Sequence, residues 1–347
     1  MAPLLPRSWF DAKRLRYVWS FVRGGLVHVN LQILYDCNFR CRICDFWTPA
    51  FGSRPRMRLE DARVLSERLA ELGPMIVSVG GGEPLLHEDL VGIVEALARH
   101  HFPVMICNGW HITAANARAL FQAGIHEVSI SVDYADAARH DAQRGMPGAF
   151  MKAMEALRIL EASRIHPWQR VHMISVVMED NLDDLEPLIL RCRDLGITYL
   201  VSMYSPRRGR GTQRIPPADA SARLLDLHRR YPEFVQLRGY LERFTEAFRE
   251  GGVGPCHAGQ HLFNVDCQGQ ASLCIDRMEE PVGNLLVDEP REVERRLLEA
   301  HRANACTSCW TSCRGSIETL TYGPNRLGSL WDYARMVRPH PLKRTRA

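Results

Sequence analysis

Over most of the chain, short runs of consecutive apolar residues alternate with longer stretches whose apolar positions recur every three or four residues. The first pattern predicts buried strands and the second predicts helices that pack one face. Strands are therefore expected over 27–35, 75–79, 103–107, 127–132, 171–177 and 198–203, and helices over 59–71, 88–100, 113–122, 148–162, 182–195 and 217–230. The punctuation agrees: Gly73-Pro74 stops the first of these helices, while Thr113 stands at the start of the third and Gly124 just past its end. Consecutive strand–helix units imply a parallel sheet with its working loops at the strand C-termini. Six units fall short of a closed eight-fold barrel. The expected fold class is thus α/β, a partial (βα)6 TIM-like barrel, with a doubly wound sheet as the other arrangement of the same units.

The pattern changes after residue 250. The breaker-rich stretch 251–255 is followed by a hairpin signal, in which 261–265 and 270–275 flank Asp266-Cys267-Gln268-Gly269, and by a helix over 289–303. This reads as a small C-terminal Cys-rich α+β extension. The expected divisions are 1–26, a basic amphipathic segment; 27–250, the barrel; 251–320, the extension; and 321–347, a basic tail.

Composition adds two things. The net charge of +4 resides at the ends: residues 1–30 carry +4 and 326–347 carry +5, leaving −5 for the body. No uninterrupted apolar run reaches the length of a membrane span, and charges at 11, 13, 14 and 16 break any signal-peptide core, so a cytoplasmic protein is expected. In that compartment the eleven cysteines point to metal or redox chemistry rather than disulfides.

Cys37, Cys41 and Cys44 form C-x3-C-x2-C directly after the first strand. Three thiolates in one loop can hold an iron–sulfur cluster with one iron left open; zinc with a fourth ligand, or thiols in the core, are the alternatives. Gly81-Gly82-Glu83-Pro84 follows the second strand. This ordered pair of motifs resembles the radical S-adenosylmethionine (SAM) superfamily. The resemblance implies a three-Cys [4Fe–4S] cluster whose open iron is chelated by SAM. Further positions match: Ile43 before the third cysteine, to pack near adenine; Asn108-Gly109 in the turn after strand three, where Cys107 replaces the family's Thr; the segment with Ser131 and Asp133 at strand four; and Arg144, from a stretch that reaches the SAM carboxylate. Taken singly, each has an ordinary structural reading, as a helix cap or a surface charge.

Cys256 and Cys274 around Gly269, followed by Cys306, Cys309 and Cys313 in C-x2-C-x3-C, resemble the SPASM and twitch extensions of that superfamily. The resemblance implies one auxiliary [4Fe–4S] cluster on Cys256, Cys274, Cys306 and Cys309, with Cys313 contending for the last place. A zinc knuckle is the other reading of the same thiols, and a zinc-stabilised α/β protein without redox chemistry the alternative for the whole chain.

The activity implied by the resemblance is that of a radical enzyme, which cleaves SAM reductively to a 5′-deoxyadenosyl radical and takes hydrogen from its substrate. The auxiliary cluster would assist an oxidation or a cross-link. An external electron donor of flavodoxin or ferredoxin type is implied, and the substrate could be a peptide, a lipid or a small molecule. The 36 residues before Cys37 are too few for a cobalamin domain or a fused leader-recognition domain, so a peptide would need a separate recognition partner. Nucleic acid is not expected as a partner, since charge is its only signal. The basic ends, with Arg7, Trp9, Phe10 and Trp19 on one side and Trp331 through Arg346 on the other, could touch a membrane surface; the simpler expectation is that their aromatics pack on the barrel.

Overall fold

The computed structural model describes residues 11–52, 54–203, 219–324 and 326–340. Each expected strand and helix is present, with ends differing by a few residues; positions 217 and 218 of the last barrel helix, Arg7, Trp9, Phe10 and the tail beyond His340 lie outside the described residues. The strands are β1 (His28–Leu34), β2 (Ile76–Gly81), β3 (Phe102–Cys107), β4 (Glu127–Ser131), β5 (Arg170–Val176) and β6 (Thr198–Ser202). They lie side by side in chain order, every pair parallel. A doubly wound sheet would reverse its order partway. The sequential order, with no pairing between β6 and β1 among the described residues, makes this an open, partial barrel.

Local signals explain the elements. Thr113 caps the helix Ala114–Gln122 by accepting from Asn116 N, and the Asn116 side chain returns the bond to Thr113 N. Val77, Val79, Met105, Val128, Ile130 and Val171 are buried on the convex side against the helices. Side chains alternate along a strand. Asn30, Ser78, Ser129, His172 and Thr198 therefore face the concave side, where the register pairs Asn30 with Ser78, Ser129 with His172, and His172 with Thr198. The concave face thus mixes these polar groups with apolar ones, since Val104 stands opposite Ser78 and Ile106 opposite Ser129 in the same register.

The extension is built onto this sheet. The first strand of the expected hairpin, β7 (Leu262–Val265), runs parallel beside β1, with His28 opposite Leu262 and Leu31 opposite Val265. Strands β8 (Gln270–Ser272) and β9 (Gly283–Asn284) add antiparallel to it, giving nine strands in one sheet. Among helices not expected from the pattern are α1 (Ala12–Val22), capped by Asp11, and near the C-terminus α2 (Ser312–Tyr322) and α3 (Arg326–Met336). Helix α2 begins inside the open side of the barrel: Ser312 N donates to Ser202 Oγ at 3.1 Å, and the Cys313 thiol hydrogen-bonds with Ser78.

Trp310, only 1% exposed, anchors this entry. Its Nε1 donates to Tyr240 O at 3.0 Å and the Tyr240 hydroxyl donates to Trp310 O at 3.2 Å, the two rings lying 5.6 Å apart. Trp310→Ala is expected to destabilise the chain by about 3–5 kcal/mol in urea unfolding. Trp331→Ala, at a site 58% exposed, is expected to change stability by less than about 0.5 kcal/mol. Equal effects would contradict this assignment of the anchor.

Candidate functional site

Two groups of cysteines converge on the barrel. The first occupies the loop after β1. Cys41 is buried and Cys37 and Cys44 half-buried, in a small apolar cluster with Phe39, Ile43, Trp110, Met146 and Ala149 that is separate from the main core. Burial pushes the Cys37 thiol up to about 12 and the Cys44 thiol up to about 11. Both are therefore protonated at neutral pH in the absence of a bound cation, and a metal would have to displace those protons. The loop is tied down by backbone bonds from Arg40 N to Arg144 O (3.2 Å) and from Arg42 N to Gln143 O (3.0 Å).

The Gly81-Gly82-Glu83-Pro84 turn lies against the same loop. A Cβ on Gly81 would stand 2.0 Å from Leu34 O, and one on Gly82 2.0 Å from Asp36 O. The glycines are required here by the crossing of two backbones, a different reason from the ligand approach that glycines at a strand end suggest. Gly82 N and Glu83 N complete the crossing by donating to Leu34 O and Asp36 O. The Glu83 side chain, 1% exposed, accepts from Leu85 N at 3.2 Å and from Asn108 N at 2.8 Å, so it links this turn to the turn after β3. Burial raises its pKa to about 7, opposed by those two amides and by Arg144.

Asn108 continues the link, donating from Nδ2 to Asn38 Oδ1 at 2.9 Å in the cysteine loop and accepting from Trp110 N. Cys107 turns the other way and packs in the core. Asp133 is fully buried just beyond β4, next to the half-buried Ser131, and Arg144 Nη2 stands 2.7 Å from its Oδ2. Burial raises the Asp133 pKa, partly offset by Arg144; burial also opposes the charge on Arg144, which Asp133 and the Cys41 and Cys44 thiols more than restore. Arg144 Nε and Nη2 nonetheless lack an aligned hydrogen-bond acceptor, and Asn38 Nδ2 has none either. The fold thus brings Cys37, Cys41, Cys44, Ile43, Glu83, Asn108, Asp133 and Arg144 to one end of the barrel, with buried donors directed into it. Sequence reasoning did not single out Asn38 or Trp110; the only signal for Asn38 was its place between the first two cysteines.

The second group lies beside β7 and at the barrel opening. Cys256 N donates to Cys306 O at 3.1 Å, and their thiols hydrogen-bond, which together with burial raises the Cys256 pKa. Asn304 joins the two segments through Nδ2 to Cys256 O and Oδ1 from Cys306 N. Burial pushes the Cys274 thiol up to about 12, with Asp276 and the Cys309 thiol among its neighbours. Cys309 holds a left-handed backbone (φ 69°), unusual for a residue with a side chain. It is fixed there by Arg314, which is 2% exposed and donates to Cys309 O at 2.8 Å and to Ser308 O at 3.0 Å, with Nη1 3.8 Å from Cys309 Sγ. Gly252 allows the facing segment to approach; a Cβ there would lie 2.2 Å from Thr307 O. Cys313 is half-buried, hydrogen-bonded to Ser78, with Cys309 nearby. Cys267, in the hairpin turn, faces Asp266 and Arg54 instead. Among the described residues, no three His, Cys, Asp or Glu side chains close around a single ion-sized point.

Comparison with known proteins gives a consistent picture. The profile described as the Radical SAM superfamily matches residues 31–192. Over 324 residues the chain is 28% identical to mycofactocin maturase MftC of Mycobacterium tuberculosis, covering 86% of this chain and 81% of that protein. The AdoMet-dependent heme synthase of Methanosarcina barkeri is 28% identical over 191 residues, 54% of each. Among solved structures, anSMEcpe with bound AdoMet and Cp18Cys peptide superposes with a TM-score of 0.61 at 16% identity, covering 88% of this chain and 99% of that one. Streptococcus suis SuiB bound to precursor peptide SuiA gives 0.59 at 13% identity, covering 80% and 67%. At these identities the structures establish a shared fold.

Glu83→Gln tests the electrostatics of the first site in the metal-free chain. Because the folded carboxyl keeps its proton to about pH 7, the unfolded state loses a proton first as pH rises. Wild-type stability is therefore expected to fall relative to the variant, by up to about 3 kcal/mol, between an ordinary carboxylate pKa of about 4.5 and pH 7. Urea unfolding across that range reads the difference; a pH-independent difference would overturn the assignment.

Proposed function

We propose that the chain, whose residues 31–192 match the Radical SAM superfamily profile, is a maturase-type radical SAM enzyme that uses two iron–sulfur clusters to modify a peptide. Bound together, a [4Fe–4S] cluster and SAM supply a 5′-deoxyadenosyl radical able to take hydrogen from an unactivated carbon. The observation that supports the two-cluster reading is the entry of 309–313 into the barrel: Ser312 N meets Ser202 Oγ and Cys313 meets Ser78, so the C-x2-C-x3-C run reaches the concave face of the sheet whose strand-end loops carry the first three cysteines.

The first site suits its group. Cys37, Cys41 and Cys44 supply three thiolates from one loop once their protons are displaced. Glu83, whose charge burial disfavours, would be held charged by accepting from the ammonium of SAM. The unaligned donors of Arg144 and the free Nδ2 of Asn38 answer the SAM carboxylate, with Asp133 holding Arg144 in place. Ile43 supplies an apolar wall for adenine, while Gly81, Gly82, Pro84, Asn108 and Ser131 shape the rest of the pocket. The phenyl, indole and thioether groups of Phe39, Trp110 and Met146 keep water from the thiols.

Cys256, Cys274, Cys306 and Cys309 are the proposed ligands of the auxiliary cluster, with Cys313 left on the concave face beside Ser78. Support comes from the Cys256–Cys306 thiol contact, the proximity of Cys274 to Cys309 and the clamp of Arg314 on Cys309. A cluster so placed could accept an electron from the product radical, making the net reaction an oxidation or a cross-link. Exposed Arg40 and Arg42 beside the first site suit an acidic electron donor of flavodoxin or ferredoxin type. A peptide substrate is supported by a relative named a maturase and by two fold neighbours solved with peptides bound.

Iron analysis and absorbance after anaerobic reconstitution test the assignment. The wild type is expected to bind about eight irons, and both the Cys37/Cys41/Cys44→Ala variant and the Cys274/Cys306→Ala variant about four. Only the wild type and the second variant are expected to form 5′-deoxyadenosine from SAM with dithionite. A colourless, zinc-replete protein would end the radical reading, and undiminished iron in the second variant would end the auxiliary cluster.

A further inference from the structure

The two basic ends of the chain meet at the opposite end of the barrel from the SAM site. Helices α1 and α3 both line a cavity of about 650 Å³ beneath the strand N-termini, floored by Ile76, Phe102 and Val104. They touch through a hydrogen bond between the Tyr17 and Tyr333 hydroxyls. These two tyrosines pack inward, as the amphipathic pattern suggests. The rest of the pattern is not packed on the barrel. Leu15, Val18, Trp19 and Val22 are between 51% and 68% exposed and lie at the spacing of one helical stripe. On α3, Leu327, Leu330 and Trp331 repeat this at 82%, 49% and 58%. Val18, Val22 and Leu330 also line the cavity, so its mouth opens on this apolar face.

The unpaired exposed charges of the two helices are of one sign. Arg16, Arg23, Arg335 and Arg338 are exposed, and the Arg23 guanidinium lies 4.3 Å from the centre of the Trp19 ring. The acids of the two helices are occupied: Asp11 pairs with Arg14, and Asp332, buried, pairs with Arg238. A second copy of the chain would bring these arginines against one another. An anionic bilayer instead offers apolar depth for the aliphatic side chains, an interfacial layer for the two indoles and negative headgroups for the arginines.

We propose that the face formed by α1 and α3 docks the protein on the surface of an anionic phospholipid bilayer, with the SAM end directed away from the membrane. The face lies outside the catalytic site, so this docking is independent of the reaction the enzyme performs.

Co-sedimentation of the full chain, reconstituted anaerobically, with vesicles tests the docking. Binding to phosphatidylglycerol–phosphatidylcholine vesicles is expected to exceed that to phosphatidylcholine alone by at least about tenfold and to weaken as salt is raised. Trp19→Ser with Trp331→Ser, and separately Arg16→Glu with Arg23→Glu, are expected to lower anionic-vesicle binding about tenfold while leaving urea unfolding and SAM cleavage unchanged. Equal binding to neutral vesicles, no binding to either, or full binding by both variants would overturn the proposal. So would a dimer in sedimentation velocity that the Trp variant dissociates, since the face would then be a contact between copies.

Discussion

The structure depends on the hydrogen-bond ladder of β1. This strand is paired on both sides, with β2 of the barrel and with β7 of the extension, so its backbone groups hold the barrel and the cysteine-rich extension in fixed register. The loop that leaves its C-terminal end carries Cys37, Cys41 and Cys44. The backbone just before that loop is what Gly81 and Gly82 cross, at a distance no Cβ would permit. Through β7 the same ladder sets the position of Cys256 and Cys274. A rigid sheet is the natural support for two sites whose separation matters.

Around the first site, electrostatic work has been done in advance. A carboxyl, a guanidinium and three thiols share a volume with little water, and each is held by backbone or by a neighbour that it does not fully satisfy. Glu83 keeps two amide donors yet remains near neutrality, and Arg144 keeps its charge but not its hydrogen bonds. Such partial satisfaction costs the ligand-free chain stability. A ligand that brought both a cation to Glu83 and an anion to Arg144 would recover it.

Most of the barrel could be read from its residues because each strand is flanked by turn chemistry and each helix by a stripe. Thr113 and Gly124 marked their helix correctly because caps act locally. The first site was legible for the same reason: its residues fall in short ordered motifs at strand ends. What escaped was long-range. Nothing local tells that 262–265 will pair with 28–31, or that 310–313 will enter the barrel, because both depend on which sheet edge is free. Helix α1 was obscured differently. Its apolar stripe resembled a packing face, and only the fold reveals that Trp19 and Val22 stay more than half exposed.

The sharing of β1 also bears on how the protein can be divided. A chain cut near Gly251 would lose more than a cysteine-rich appendage, because it would bare the edge of β1 from His28 to Leu31. Such an edge accepts any extended partner, another copy of the same fragment included. The extension is thus also the barrel's edge guard, and the expected fate of the barrel without it is aggregation.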